Sequence, residues 1–287
     1  MQLTNAEELR KLLEKRGFSF SRGLGQNFLT AAWVPERIAA CAAADGDTLA
    51  FEIGPGVGCL TEQLADRAGK VLAVEKDETL RSVLAETLAG KENVELLFAD
   101  VLRLDLAALV REKCGALTHA VACANLPYNI TSDAVTALLE ADCFERITVM
   151  VQREAAQRFC ALPGDGAYNA ASVLVRWRAE PELLFDVPPD CFTPRPKVTS
   201  SVLSLRPREN RAAQAYGKLF PRCVRAAFAQ RRKTLCNALC AGFGLKREDA
   251  ESAVLAAGLD VRVRGEALGV AEFARLTETV APFLKKA

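Results

Sequence analysis

A single histidine, His119, stands in the whole sequence, just ahead of a strand-like run. A zinc site or a Ser-His-Asp triad therefore has almost nothing to be built from, and the chemistry must proceed without metal or imidazole. No run approaches the roughly eighteen apolar residues of a membrane span. The opening stretch, MQLTNAEELRKLLEKRG, has the pattern of an amphipathic helix and not of a signal peptide, which places the chain in the cytosol. The ten cysteines include no Cys-x-x-Cys pair and lie scattered through apolar stretches, as at Cys41, Cys123 and Cys143. They read as buried thiols and not as a disulfide scaffold.

What is present is an ordinary globular composition with an uneven charge. Half of the 287 residues are apolar and a quarter are charged, enough for one large domain and a smaller one. Residues 1–194 hold 19 Lys/Arg against 28 Asp/Glu, whereas residues 195–247 hold 13 Lys/Arg against the single acid Glu209. The net charges are −9 and +12. A basic block on a near-neutral chain points to a polyanion, because lysine and arginine gain affinity by displacing counterions from phosphates. The candidates for phosphate contact are Arg195, Lys197, Arg222, Arg225, Arg231, Arg232 and Lys233.

From about residue 48, β-rich runs alternate with helical ones: TLAFEIG, KVLAVEKD, VELLFAD, HAVACANLPY, ITVMVQ and SVLVRWR. That alternation predicts an α/β fold with a mostly parallel sheet wrapped by helices. Asp77 is placed to cap the helical DETLRSVLAETLAG. After SSVLSLRPREN only helical patterns remain, separated by glycines, so the chain divides into residues 1–206 and a small all-α domain, 207–287. The proline-rich DVPPDCFTPRPK reads as an ordered loop.

The first strand ends in Phe51-Glu52-Ile53-Gly54-Pro55-Gly56-Val57-Gly58, followed by a helical stretch. Gly54, Gly56 and Gly58 let the backbone turn tightly and approach a ligand at a helix N-terminus. A dinucleotide fold prefers G-x-G-x-x-G; G-x-G-x-G with an acid two residues ahead resembles S-adenosylmethionine binders. The second strand ends at Glu75, seventeen residues after Gly58, where a carboxylate can accept from both ribose hydroxyls. The third ends at Asp100, able to accept from an adenine amine, with Lys76 and Val101 beside these acids. Each acid alone is more often a cap or a surface charge, but three successive strand ends carry such groups.

The fourth strand ends in Asn125-Leu126-Pro127-Tyr128. With GLGQNFL at 23–29, EIGPGVGCLT at 52–61, NLPYNIT at 125–131, FTPRPKVTSSV at 192–202 and FAQRRKTLCNAL at 228–239, the chain resembles the ribosomal RNA adenine N6-dimethyltransferases over almost its whole length. The resemblance implies a Rossmann-like class I methyltransferase domain with a seven-stranded, mostly parallel sheet. It implies S-adenosyl-L-methionine as donor, S-adenosyl-L-homocysteine as product, and no metal. The small-subunit branch acts on two adjacent adenosines in the 3′-terminal hairpin of 16S rRNA in the 30S subunit, with a role in subunit biogenesis, and a monomer is expected. By the same resemblance Gln26, Asn27 and Leu29 close over the cofactor, and Phe192 joins Tyr128 in stacking the extruded base. The preceding helix, with Arg10, Lys11, Lys15 and Arg16, is left able to touch RNA.

An exocyclic adenine nitrogen is a poor nucleophile, since its lone pair is delocalised into the ring. Hydrogen bonds from its two N–H groups to the Asn125 side-chain oxygen and to the carbonyl of Leu126 or Pro127 pull it toward a tetrahedral geometry. Two departures from the family pattern stand out: Tyr168-Asn169-Ala170 for Tyr-Gly-x-Leu, and Cys236 where a basic residue is common. Other readings are a large-subunit adenine dimethyltransferase with the same chemistry, a non-catalytic RNA-binding assembly or transcription factor, and a nicotinamide-dependent oxidoreductase. The last leaves the Asn-Leu-Pro-Tyr loop and the basic block without a purpose.

Overall fold

The computed structural model describes residues 3–18, 26–208, 216–230 and 232–284. The chain forms two compact units, Met1–Ala156 with Pro181–Pro207, and Gln157–Glu180 with Arg208–Ala287. The second unit begins its C-terminal part near the 206/207 boundary expected from the sequence. It also takes in an earlier segment that the sequence pattern assigns to the first domain.

In the first unit, helix α1 (Ala6–Lys15) starts where the Asn5 side chain accepts from the N–H groups of Glu7 and Glu8, and it buries Leu9, Leu12 and Leu13. A short strand β1 (Phe28–Leu29) and helix α2 (Trp33–Ala42) lead into β2 (Thr48–Ile53). Then α3 (Cys59–Ala65), β3 (Lys70–Glu75), α4 (Arg81–Thr87), β4 (Val94–Phe98), α5 (Leu106–Cys114), β5 (His119–Asn125), α6 (Thr131–Glu140) and β6 (Arg146–Gln152) alternate as expected. Asp77 caps the turn before α4, accepting from the Thr79 N–H. Every residue of β2 is buried, as a central parallel strand covered on both faces requires.

The chain continues through α7 (Arg153–Cys160), α8 (Ala170–Arg178), β7 (Ala179–Val187), β8 (Phe192–Thr193) and β9 (Ser200–Pro207). The seven-stranded sheet has the order β4-β3-β2-β5-β6-β9-β7. Strands β2 to β6 pair in parallel and β9 runs antiparallel to β6. A separate antiparallel ribbon joins β1 to β8, with Leu29 opposite Phe192. The switch of strand order beside β2 leaves the carboxyl ends of β2, β3, β4 and β5 on one edge, where ligands of such sheets bind.

The stretch SVLVRWR, expected as a strand, is part of helix α8. Its valines and tryptophan carry strand propensity, but a capping box decides the outcome: the Asn169 side chain accepts from the helix backbone while Ser172 accepts from the Asn169 N–H. The Asn169 departure is thus a helix cap. The strand instead comes directly afterwards, as β7.

In the second unit, α8 lies with helices Leu219–Ala229, Leu235–Phe243, Arg247–Ala256 and Val270–Leu284 around one apolar core. Trp177 stacks on Phe220, ring centroids 4.2 Å apart, and the buried Tyr168 donates its hydroxyl hydrogen to the Leu268 carbonyl at 2.7 Å. These interactions explain why residues 157–180 group with the C-terminal helices. The FAQRRKTLCNAL motif falls on two helices, one ending at Ala229 and the next starting at Leu235.

Candidate active site

At the carboxyl edge of the sheet a cavity is lined by Gln26, Asn27, Leu29, Gly54, Gly56, Glu75, Lys76, Asp100, Val101, Asn125, Leu126, Pro127, Tyr128 and Phe192. All but one of the residues singled out from the sequence for cofactor or catalysis therefore meet in one place. The exception is Gly58, which sits behind the cavity at the start of α3 with φ 92°. A Cβ there would come within 3.1 Å of the Leu88 side chain, so its glycine serves the turn and the packing against α4.

Three acids reach the cavity from successive strands. Glu75 is buried, and its two carboxylate oxygens accept from the N–H groups of Gly56 (3.2 Å) and Asp77 (2.8 Å). Burial raises its pKa. Asp100 accepts from Lys76 at 2.9 Å and from the Leu102 N–H at 3.1 Å, and the lysine holds its carboxyl below the usual range. Glu52, only 1% exposed, is pushed up to about 8 chiefly by burial, with a smaller push from the nearby Glu75 and a hydrogen bond to Thr61 acting against it. Its Oε2 has no hydrogen-bond partner among the described residues. A buried carboxyl in the lining of a cavity is one whose charged form a cationic ligand would favour.

The Asn-Leu-Pro-Tyr loop is held at several points. The Leu126 N–H donates to the Met150 carbonyl at 3.0 Å, continuing the β5–β6 pairing past Asn125. The Asn125 amide donates to the Asn27 carbonyl at 3.2 Å, which turns its Oδ1 away as an acceptor. The Pro127 carbonyl accepts from the Ile130 N–H (3.2 Å) and the Thr131 hydroxyl (3.1 Å), using both lone pairs. Tyr128 is half-buried, whereas Phe192, brought in by the β1–β8 ribbon, lines the cavity with only 4% of its surface exposed. Gln26 donates to Asp77 at 2.6 Å and so ties the segment before β1 to the end of β3.

Among the lining residues that sequence reasoning did not single out are Phe28, Glu52 and Cys59. Phe28 stands so close to Gly56 that a Cβ there would come within 3.1 Å of its ring, and its place inside GLGQNFL was the available signal. Glu52 was noticed only as spacing. Cys59 carried no signal; its thiol, pushed up to about 12 by burial, stays protonated and is no nucleophile. His119 lies at the opposite end of β5, paired with Glu145 at 2.7 Å. Among the described residues no three His, Cys, Asp or Glu side chains gather as a metal site, and no helix is long and apolar enough to cross a membrane.

The basic candidates divide. Arg195 and Lys197 are exposed in the first unit. In the second unit Arg222, Arg225, Arg232 and Lys233 are exposed; Arg222 lies over the Phe243 ring at 4.5 Å. None of the six has a carboxylate within ion-pair distance among the described residues. Arg231 lies outside the described residues. The cations of α1 and its C-cap are different: Arg10 pairs with Glu14, Lys11 with Glu7, and Lys15 and Arg16 both with Glu86. That helix presents neutralised charge to any polyanion.

This sheet order, with acids at three strand ends and an Asn-Leu-Pro-Tyr loop at the fourth, defines the class as a Rossmann-like methyltransferase. The profile of ribosomal RNA adenine dimethylases matches residues 17–280, and the chain belongs to that family. The ribosomal RNA small subunit methyltransferase A of Geobacillus thermodenitrificans (strain NG80-2) is 41% identical over 281 residues, covering 96% of each chain. Among solved structures, the 23S rRNA methyltransferase ErmE is 28% identical with a TM-score of 0.64, covering 88% of this chain and 99% of its own. A dimethyladenosine transferase from Plasmodium falciparum shares the fold at 22% identity and a TM-score of 0.72, covering 90% of this chain and 98% of its own. The enzyme is a ribosomal RNA adenine dimethyltransferase.

Proposed function

We propose that this chain transfers methyl groups from S-adenosyl-L-methionine to the N6 amines of two adjacent adenosines in the 3′-terminal hairpin of 16S rRNA within the 30S subunit. It does so in the cytoplasm, as a monomer, with a role in small-subunit biogenesis. The observation that carries the reading is the orientation of Asn125: its amide hydrogen is committed to the Asn27 carbonyl, so its oxygen is left for an incoming amine.

The cavity suits the donor. Glu75, already aimed by two backbone N–H groups, keeps lone pairs for ribose hydroxyls. Asp100 and the neighbouring Lys76 and Val101 suit the adenine ring, Gln26, Asn27 and Leu29 close one wall, and the buried Glu52 suits a positively charged ligand. When bound, S-adenosyl-L-methionine supplies a sulfonium methyl, a strong electrophile, and leaves as S-adenosyl-L-homocysteine.

The loop then acts on the acceptor. The Asn125 Oδ1 takes one amine hydrogen. The second goes to the carbonyl of Leu126, because that of Pro127 already accepts twice. Together they draw the nitrogen lone pair out of conjugation, and positioning supplies most of the rate. No base is needed in the loop, since the nitrogen, made cationic by the arriving methyl, gives up its proton to water. Tyr128 offers a stacking face, with Phe192 behind it.

In this reading the first unit carries catalysis, and the second, residues 157–180 with the C-terminal helices, engages RNA and the ribosome. Arg195 and Lys197 of the first unit meet phosphates together with Arg222, Arg225, Arg231, Arg232 and Lys233. The preference for the small subunit is supported by curated relatives of that name at 38–41% identity over nearly the whole chain, against 28% for the 23S enzyme. Parallel reactions with unmethylated 30S and 50S particles test it. Label confined to 30S supports the reading, and label confined to 50S replaces it.

A further inference from the structure

Ser200, the first residue of β9, is buried at 1% exposure, and its hydroxyl shares a 3.1 Å hydrogen bond with the Tyr128 hydroxyl. The sheet register produces this meeting. Asn125 at the end of β5 lies opposite Met150 of β6, and Gln152, two residues further along β6, lies opposite Ser200. The Asn-Leu-Pro-Tyr loop, leaving β5, crosses the end of β6 and meets the start of β9. Two sequence motifs, NLPY and the serine-bearing end of FTPRPKVTSSV, are thereby joined at one bond.

We propose that Ser200 is a positioning residue for the transfer: it tethers the phenol of Tyr128 and so fixes where the face of that ring lies for the adenine to stack on. This rests on the function proposed above. A half-buried tyrosine at the rim of a cavity has more than one staggered χ1 well open to it. A hydrogen bond at the far end of the ring selects the well and sets the direction of the ring's long axis. Loss of the tether leaves the ring and the cavity in place but lowers the fraction of complexes in which base, amine acceptors and methyl donor are aligned, a kinetic more than a binding defect.

The neighbouring residue supplies the control. Ser201, also buried on β9, donates its hydroxyl hydrogen to Asp186 at 2.6 Å, outside the cavity lining. Single-turnover methyl transfer to unmethylated 30S subunits is measured for wild type, Ser200→Ala, Ser200→Thr, Tyr128→Phe, Ser200→Ala with Tyr128→Phe, and Ser201→Ala. Affinity for S-adenosyl-L-methionine and the unfolding midpoint are measured alongside.

Ser200→Ala and Tyr128→Phe should each slow transfer by about three- to tenfold, the worth of one hydrogen bond, with unchanged cofactor affinity. The double variant should be no slower than the slower single one, because both changes remove the same bond. Ser200→Thr should recover the rate, and Ser201→Ala should lower the midpoint while keeping the wild-type rate. Losses that multiply in the double variant overturn the proposal, as does a Ser200→Ala no slower than Ser201→Ala, or one whose only defect is weaker cofactor binding. If Ser200→Ala does not fold, an unchanged rate in Tyr128→Phe, which keeps the ring, overturns it alone. A wild-type protein that modifies no adenine removes the underlying function instead.

Discussion

Replacing Glu52 with glutamine should stabilise the ligand-free protein, and more so as pH rises. The carboxyl is buried with one oxygen unpartnered, which moves its pKa from the ordinary 4.5 to about 8. The sign follows from proton binding. Between these two values the folded protein keeps a proton that the unfolded chain has released, so folding stability falls as pH increases, and levels off above about 8. Each tenfold change in proton affinity is worth about 1.4 kcal/mol, giving a ceiling of about 5 kcal/mol, and relaxation around the site brings the realistic figure to about 2–4 kcal/mol. Glutamine fills the same space and does not titrate. Urea unfolding of both proteins without cofactor, at several values between pH 5 and 8.5, should therefore give curves that nearly coincide at the acid end and separate steadily, the variant being the more stable. Parallel curves across that range would refute the placement of an ionisable, buried carboxyl in the cavity lining. Addition of S-adenosyl-L-methionine should narrow the gap, because a cation beside Glu52 favours its charged form.

Further outcomes follow from the same geometry. Asn125→Ala should lower methyl transfer by about a hundredfold or more while leaving the dissociation constant of S-adenosyl-L-methionine within a fewfold, as measured by calorimetry. Glu75→Ala should do the reverse, weakening the cofactor by about tenfold or more because the ribose hydroxyls lose their acceptor, and also loosening the turn at Gly56 that its carboxylate accepts from. Removing Arg225, Arg232 and Lys233 together should weaken 30S binding at moderate salt and lower the slope of log affinity against log salt by about one for each phosphate no longer neutralised, with transfer restored at high subunit concentration. Removing Lys11 of α1 and Arg16 at its C-cap should change that slope far less, because carboxylates already pair with them.

The cavity was more legible in the sequence than the fold around it. Strand ends announce themselves, because an apolar run closing on Gly54, Glu75, Asp100 or Asn125 has few other reasons to stop at that kind of residue. All four of those residues do line one cavity. Helix α8 reads as a strand because Val173, Val175 and Trp177 favour strands by propensity, while the deciding signal is local and polar: the Asn169 and Ser172 capping box. The placement of residues 157–180 could not be read at all, because it depends on Trp177 and Tyr168 finding Phe220 and Leu268 far along the chain. The α1 cations looked available because their partner Glu86 is remote in sequence. The burial of Glu52 was hidden for the same kind of reason: an acid's solvent access is a property of the assembled sheet and not of its neighbours in sequence.

The most direct test of the whole account is transfer of a labelled methyl group from S-adenosyl-L-methionine to unmethylated 30S subunits, followed by nuclease digestion and nucleoside analysis. The account predicts label in N6,N6-dimethyladenosine from 16S rRNA, and none when Asn125 is alanine. Label in any other nucleoside, or transfer that survives the loss of Asn125, would contradict it.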